Sequence, residues 1–362
     1  MAFFRCVPPS PGGGGGGTVD DYYVTINNNG VTEYPPLIST VTTGDGLFYQ
    51  AKDFNMPVKF GNRWAGYPQA FYCCYNFNSP VEIEPFDWNY ALNGAGNTKR
   101  NMTVYNRGLS FASMFHSCQN FNLPMDLNNY VGISNYASMF FSCYKFNQPM
   151  YVPVEFTNNE ILNVVSITAA SMFASCRELN SRIVIKNVDG GPPRGTTRLV
   201  YTLSGLFQLS YNFNQPFYID ARNVNNVMAD NMFQNCNHMK QPILFEFHNI
   251  RNIVAMRNMF SNAKSYPTDI VFNFTNVPEW NVQRFFNNAY YPTTAGLNYR
   301  VNIYTSDVES FKTFPWIATA SESWYAVTNG YRLGTSGNIY LLNNVSDGVN
   351  KFWEYYNNFY NN

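Results

Sequence analysis

The chain has 362 residues, with 23 basic and 23 acidic side chains, 18% aromatic residues and only 13% charged ones. That aromatic content excludes a disordered chain, and a zero net charge with no basic block excludes a nucleic-acid binder. Surface polarity then falls to neutral side chains, 51 Asn among them, which favours neutral partners such as glycans or other protein subunits over charged ligands.

Residues 1–17, MAFFRCVPPSPGGGGGG, read as a flexible arm. Their apolar stretch is too short for a signal peptide, and no apolar run in the chain is long enough to span a bilayer, so neither export by the usual route nor membrane insertion is expected. The six glycines are not followed by Gly-Lys-Ser/Thr and so make no phosphate loop. Residues 18–44 contain TVDDYYVTI, a turn with Gly30, and VTEY. They read as two strands that form an N-terminal β cap over the first of the repeats beginning at residue 45.

Residues 45–305 are repetitive. SMFFSCYKFNQPMYV (138–152) has near-copies at 113–127, 204–219 and 231–245. With the aromatic of its MF pair as position zero, the unit recurs at Phe48, Phe71, Phe115, Phe140, Phe173, Phe207, Phe233, Phe260 and Phe286. The period is about 25 residues, the signature of a solenoid. An insertion at 87–110 and two shorter ones interrupt it. Position +3 is small (Cys74, Cys118, Cys143, Cys176, Ser210, Cys236, Ala263) and +6 is large and apolar (Phe54, Phe77, Phe121, Phe146, Leu179, Phe213). This spacing predicts one or two helical turns with one buried face.

Asn follows at +7 (55, 78, 122, 147, 180, 214) and Pro at +9, which ends the turn. Positions +10 and +12 are apolar in eight units, as in Met150/Val152 and Ile183/Ile185, and predict a strand. In the ninth unit the pattern slips before Val301 and Ile303. Each coil is thus a short helix, an Asn-bearing turn and a strand, and the coils stack into one parallel sheet: an α/β solenoid. The Asn column is expected to hydrogen-bond the backbone of the adjacent turn.

Residues 306–362 abandon the pattern and read as a C-terminal cap. Ser306 to Glu309 form a capping box before a short helix, WYAVTNGYRLGTSGNIYLL is hairpin-like, and 347–360 form an aromatic amphipathic helix capped by Ser346.

The candidate chemistry is sparse. Five cysteines share a position that Ala and Ser fill elsewhere, so they read as small buried wedges stacked as free thiols, with no disulfide. His116, His238 and His248 have no metal-ligand spacing, Glu82 and Glu84 lie on one outer strand face, and no metal, cofactor or catalytic constellation is expected. The +11 residues point away from the core. They begin charged (Lys59, Glu82, Asp126) and turn apolar or aromatic at Tyr151, Val184, Tyr218, Leu244 and Val271. Stacking would align these five in a column about 19 Å long, which is expected to contact a partner subunit or ligand unless an insertion or the C-terminal cap covers it.

The motif MFxSCxxFNxPM (113–125, 138–150) resembles the BspA-like leucine-rich-repeat surface proteins, in their mycoplasma-type variant, over about residues 45–305. Residues 223–236 and 249–263 also match the first half of that repeat. The resemblance implies an adhesin, another surface protein or a phage-encoded copy, and the lack of a catalytic constellation makes a non-enzymatic role the expectation. The chain departs from it in having no signal peptide, lipobox or wall anchor. A short glycine-rich N-terminus without export signals looks more like bacteriophage structural proteins. On that likeness the expected role is a virion structural or decoration protein, bound to other virion proteins or copies of itself and, in a host-adhering role, to a host glycan or protein. The alternative is a bacterial cell-surface adhesin.

Overall fold

The computed structural model describes residues 24–26, 46–60, 66–84, 109–127, 133–153, 166–186, 188–189, 199–282, 284–286, 300–313, 324–327, 330–333 and 339–361. The arm at 1–17, the turn at Gly30 with its second strand, and most of the 87–110 insertion lie outside these residues.

The chain is a solenoid of stacked coils, and each regular coil carries two strands rather than one. The +10 to +12 strands form one series: Val24–Ile26, Val58–Phe60 and Val81–Ile83; then Met150–Val152 and Ile183–Ile185; then Phe217–Arg222, Ile243–His248, Asp269–Thr275 and Val301–Thr305. A second parallel series, absent from the sequence reading, runs through Leu109–Ser110, Ile133–Asn135, Ser166–Thr168, Val200–Thr202, Asn226–Met228, Ile253–Ala255 and Glu279–Asn281. The core lies between the two series. The expected strand at Met125/Leu127 does not form, although both side chains are buried.

The predicted helical turn in each coil is also corrected. Residues −4 to +3 make three overlapping tight turns, not a helix. Met139, Phe141 and Cys143 donate N–H to Tyr136, Ser138 and Phe140, three residues back, at 3.0 to 3.1 Å. The alternate amides, Ser138, Phe140 and Ser142, donate instead to Ala170, Met172 and Ala174 of the next coil at 2.8 to 2.9 Å. This alternation needs positive φ at −2 and +2: Ser138 and Ser142 sit at 55° and 58°, Asn231 and Asn235 at 59° and 61°. Ser, Asn and Gly recur there because they tolerate the left-handed region better than bulkier residues. Continuous intercoil hydrogen bonding offsets the strain where Gln50 or Leu209 occupies the site.

Adjacent coils bring the position-zero rings together. From Phe48 to Phe286 nine rings form one stack, with neighbouring centroids 5.2 to 5.8 Å apart and planes within 18° of parallel. This is the normal range for offset aromatic pairs.

The Asn column ties the turns together as expected. Asn147 Oδ1 accepts the Asn180 N–H at 2.7 Å, and Asn180 Oδ1 accepts that of Asn214 at 2.9 Å. The relay ends when Asn214 Oδ1 accepts the N–H of Lys240. Lys240 has no side-chain acceptor, but the next residue in the column, Pro267, has no N–H to satisfy. Asn147→Ala removes the acceptor of the exposed Asn180 amide, and unfolding in urea is expected to show a loss of about 0.5–1.5 kcal/mol. Lys240→Ala should cost less than a third of that, since the column uses only the backbone of Lys240.

The C-terminal cap extends the sheet. Ile339–Leu342 pairs in parallel with Val301–Thr305, and Gly330–Leu333 and Trp324–Val327 add two antiparallel strands. Helix α1 (Val308–Thr313) is capped by Asp307, whose Oδ1 accepts the Ser310 N–H at 3.1 Å, rather than by Ser306. Helix α2 (Val345–Asn361) starts two residues earlier than expected and is capped by Asn344 rather than Ser346, the Asn344 Oδ1 accepting the Asp347 N–H at 3.2 Å. Among the described residues no helix is long and apolar enough to cross a membrane.

Candidate functional site

The outward +11 residues do align. Strand register pairs Tyr151 with Val184, and separately Tyr218 with Leu244, Leu244 with Val271 and Val271 with Tyr304. Tyr304 is a further member of the column that the slipped ninth unit hid. At the N-terminal end the column is charged, and Lys59 meets Glu82 at 3.8 Å in an exposed pair of little energetic weight.

The apolar half of the column is occupied by the chain itself. Helix α2 lies across the sheet, from Tyr304 near its start to Arg182 near its end. Leu244 and Val271 are fully buried beneath it, with Tyr304, Phe352 and Tyr356 completing the cluster. Tyr218 is half-buried against Trp353 and Tyr356, at ring distances of 5.0 and 5.6 Å. Of the five residues expected to meet a partner, Leu244 and Val271 thus meet α2, Tyr218 packs beside it, and Tyr151 and Val184 are half-buried.

At Gly348 the helix backbone lies close against the sheet, where a methyl group would stand 2.6 Å from Tyr304 Cγ. The rim is polar. Arg182 donates to the Tyr356 hydroxyl at 3.1 Å and lies 4.2 Å over the Tyr360 ring. Tyr360 in turn donates to Gln215 at 3.1 Å. Burial pushes the Tyr218 and Tyr304 hydroxyls above the usual phenol range, so both stay neutral at physiological pH.

A second surface was not anticipated. At +1, on the turn side of the coil, Tyr49, Tyr72, His116 and Phe141 stack at 4.8, 4.4 and 4.8 Å. Tyr144 lies nearby at +4, beneath the Arg177 guanidinium at 4.3 Å. Tyr49, at the start of the row, is exposed. His116 lies between Tyr72 and Phe141, its Nδ1 is 3.1 Å from Ser117 Oγ, and burial lowers its pKa, keeping the imidazole neutral. The alignment of +1 aromatics across four units was the sequence signal for this row.

The repeated cysteines are structural. Cys143 Sγ donates to Phe115 O at 3.0 Å, Cys176 to Phe140 O at 3.1 Å and Cys236 to Phe207 O at 3.0 Å; Ser210 does the same to Phe173 O at 2.6 Å. Each thiol donates to the position-zero carbonyl of the preceding coil. Among the described residues no group of three or more His, Cys, Asp or Glu could hold a metal ion.

A family profile described as "Mycoplasma protein of unknown function, DUF285" matches the chain twice, over residues 69–187 and 170–298. No curated protein and no solved structure matches it.

Proposed function

Since the chain belongs to the DUF285 family of mycoplasma proteins of unknown function, we propose that it is a non-enzymatic surface repeat protein that recognises a partner protein or glycan through the outward columns of its solenoid. We place it on a bacteriophage particle, as a structural or decoration protein. One observation carries the recognition reading: the residues that repeat with potential chemistry are used up by the fold. The thiols of Cys143, Cys176 and Cys236 donate to carbonyls, and the Asn147 and Asn180 carboxamides accept backbone N–H groups. What varies from coil to coil faces outward: beyond the charged start at Lys59, Glu82 and Asp126, the +11 column is apolar or aromatic, and the +1 row is aromatic, as suits an uncharged partner.

The family match favours a second setting, the bacterial cell surface, where the same columns would serve an adhesin. Mass spectrometry separates the two. Purified particles from cells that carry the gene are expected to contain the chain in fixed proportion to the coat proteins. Its absence from particles, with release from intact cells by surface proteolysis, would replace the virion with the adhesin. Its absence from both would remove surface display altogether.

A further inference from the structure

Helix α2 meets the sheet from outside the solenoid. Its cluster with Leu244, Val271 and Tyr304 is separate from the solenoid core. The contact has an apolar centre and a rim of Arg182, Gln215, Tyr356 and Tyr360, the make-up of an interface between proteins. The helix sequence points the same way. Gly348, Asn350, Asn357 and Asn358 are weak helix formers, and an isolated helix of this length is marginal in water. The column therefore holds α2 in shape, whichever chain supplies the column. Only Asn343 and Asn344 join α2 to the last strand, Ile339–Leu342.

We propose that a second copy of this chain binds here by exchanging α2, so that Phe352 and Tyr356 of one copy rest on Leu244, Val271 and Tyr304 of the other. The contacts of α2 are the same in both forms. Short connections favour exchange, because the alternative geometries differ only at the hinge. The proposal does not depend on where the protein is displayed.

The wild-type chain is expected to run as a monomer–dimer mixture by size exclusion with light scattering, its dimer share rising with concentration. A wild-type chain that stays monomeric at every concentration overturns the proposal. Leu244→Asp, which places a charge under the helix, should abolish the dimer while the buried thiols stay unreactive, which reports an intact solenoid. A dimer that survives Leu244→Asp with α2 amides unprotected from hydrogen exchange also overturns it. Deleting Asn343 and Asn344 should prevent α2 from turning onto its own sheet and convert the population to dimer with α2 protected. Inserting a flexible Gly/Ser segment of about six residues between them should return it to monomer. Deletion without dimer, in a chain whose thiols remain unreactive, counts against the exchange.

Discussion

Phe140→Ala is expected to destabilise the chain by about 3–5 kcal/mol, near the upper limit for a single core truncation. The ring is fully buried between Phe115 and Phe173, at 5.4 and 5.6 Å, and packs 4.5 Å from Phe146 of its own coil. The cavity cannot collapse readily. The backbone around it is clamped to the next coil at Ser138, Phe140 and Ser142, so neighbouring rings cannot slide into the gap without breaking that ladder. Because a solenoid couples mainly through nearest neighbours, loss of a central ring should also split the array and reduce the denaturant m-value. Urea unfolding followed by circular dichroism reads both. Phe48→Ala, at the end of the stack, should cost clearly less; equal costs for the two would refute the idea of a continuous stack.

Alkaline pH is expected to unfold the protein well before it would a protein without buried thiols. Burial pushes the thiols of Cys118, Cys143, Cys176 and Cys236 far above their ordinary range. In the unfolded chain they ionise near pH 8.5, whereas in the folded chain they keep their protons. Above that pH the folded state binds more protons than the unfolded one, so stability falls as pH rises; below it the full stability is present. Each thiol contributes at most about 1.4 kcal/mol per pH unit, and the four together roughly 5. A typical stability of about 5–15 kcal/mol would be consumed within one to three pH units. The buried phenols of Tyr136 and Tyr201, also raised by burial, join above about pH 10. Replacing the four cysteines by serine should move the alkaline midpoint upward, since Ser210 already fills this position and makes the same bond. An unchanged midpoint would show that the thiols do not control the transition.

Much of the fold was legible because the repeat keeps its offsets. Phe140, Phe146, Asn147 and Val152 could each be placed by counting, and the exchange of Cys143 for Ser or Ala in other coils revealed a small buried position. The helical reading failed because Met139, Phe140 and Cys143 face inward at spacings that a helix and a run of tight turns share. The distinguishing residues were Ser138 and Ser142, whose left-handed φ carries no hydropathic signal. The second strand series escaped for a similar reason: Ser166–Thr168, Val200–Thr202 and Asn226–Met228 each bury only their central side chain, which leaves no alternation to read. At the candidate site the column was legible, because strand register follows from the repeat. Its cover was not. That α2 is a helix can be read locally, but its seat on Leu244 and Val271 depends on contacts between distant parts of the chain.

The hydrogen bonds between coils run in a fixed direction, and this gives the stack a growing end. A finished coil presents the free amides of its −2, 0 and +2 residues and one carboxamide oxygen at +7, the template that the next coil must match. Such an array resembles a crystal face more than a closed globule: coils could be added or lost by gene duplication or deletion without redesigning those already laid down. Lys240 and Pro267 are where the +7 part of that template stops, because the first offers no oxygen and the second asks for none. The pair ends the carboxamide relay alone, since the amide ladder runs on from Phe260 N–H to Phe285 O in the ninth coil.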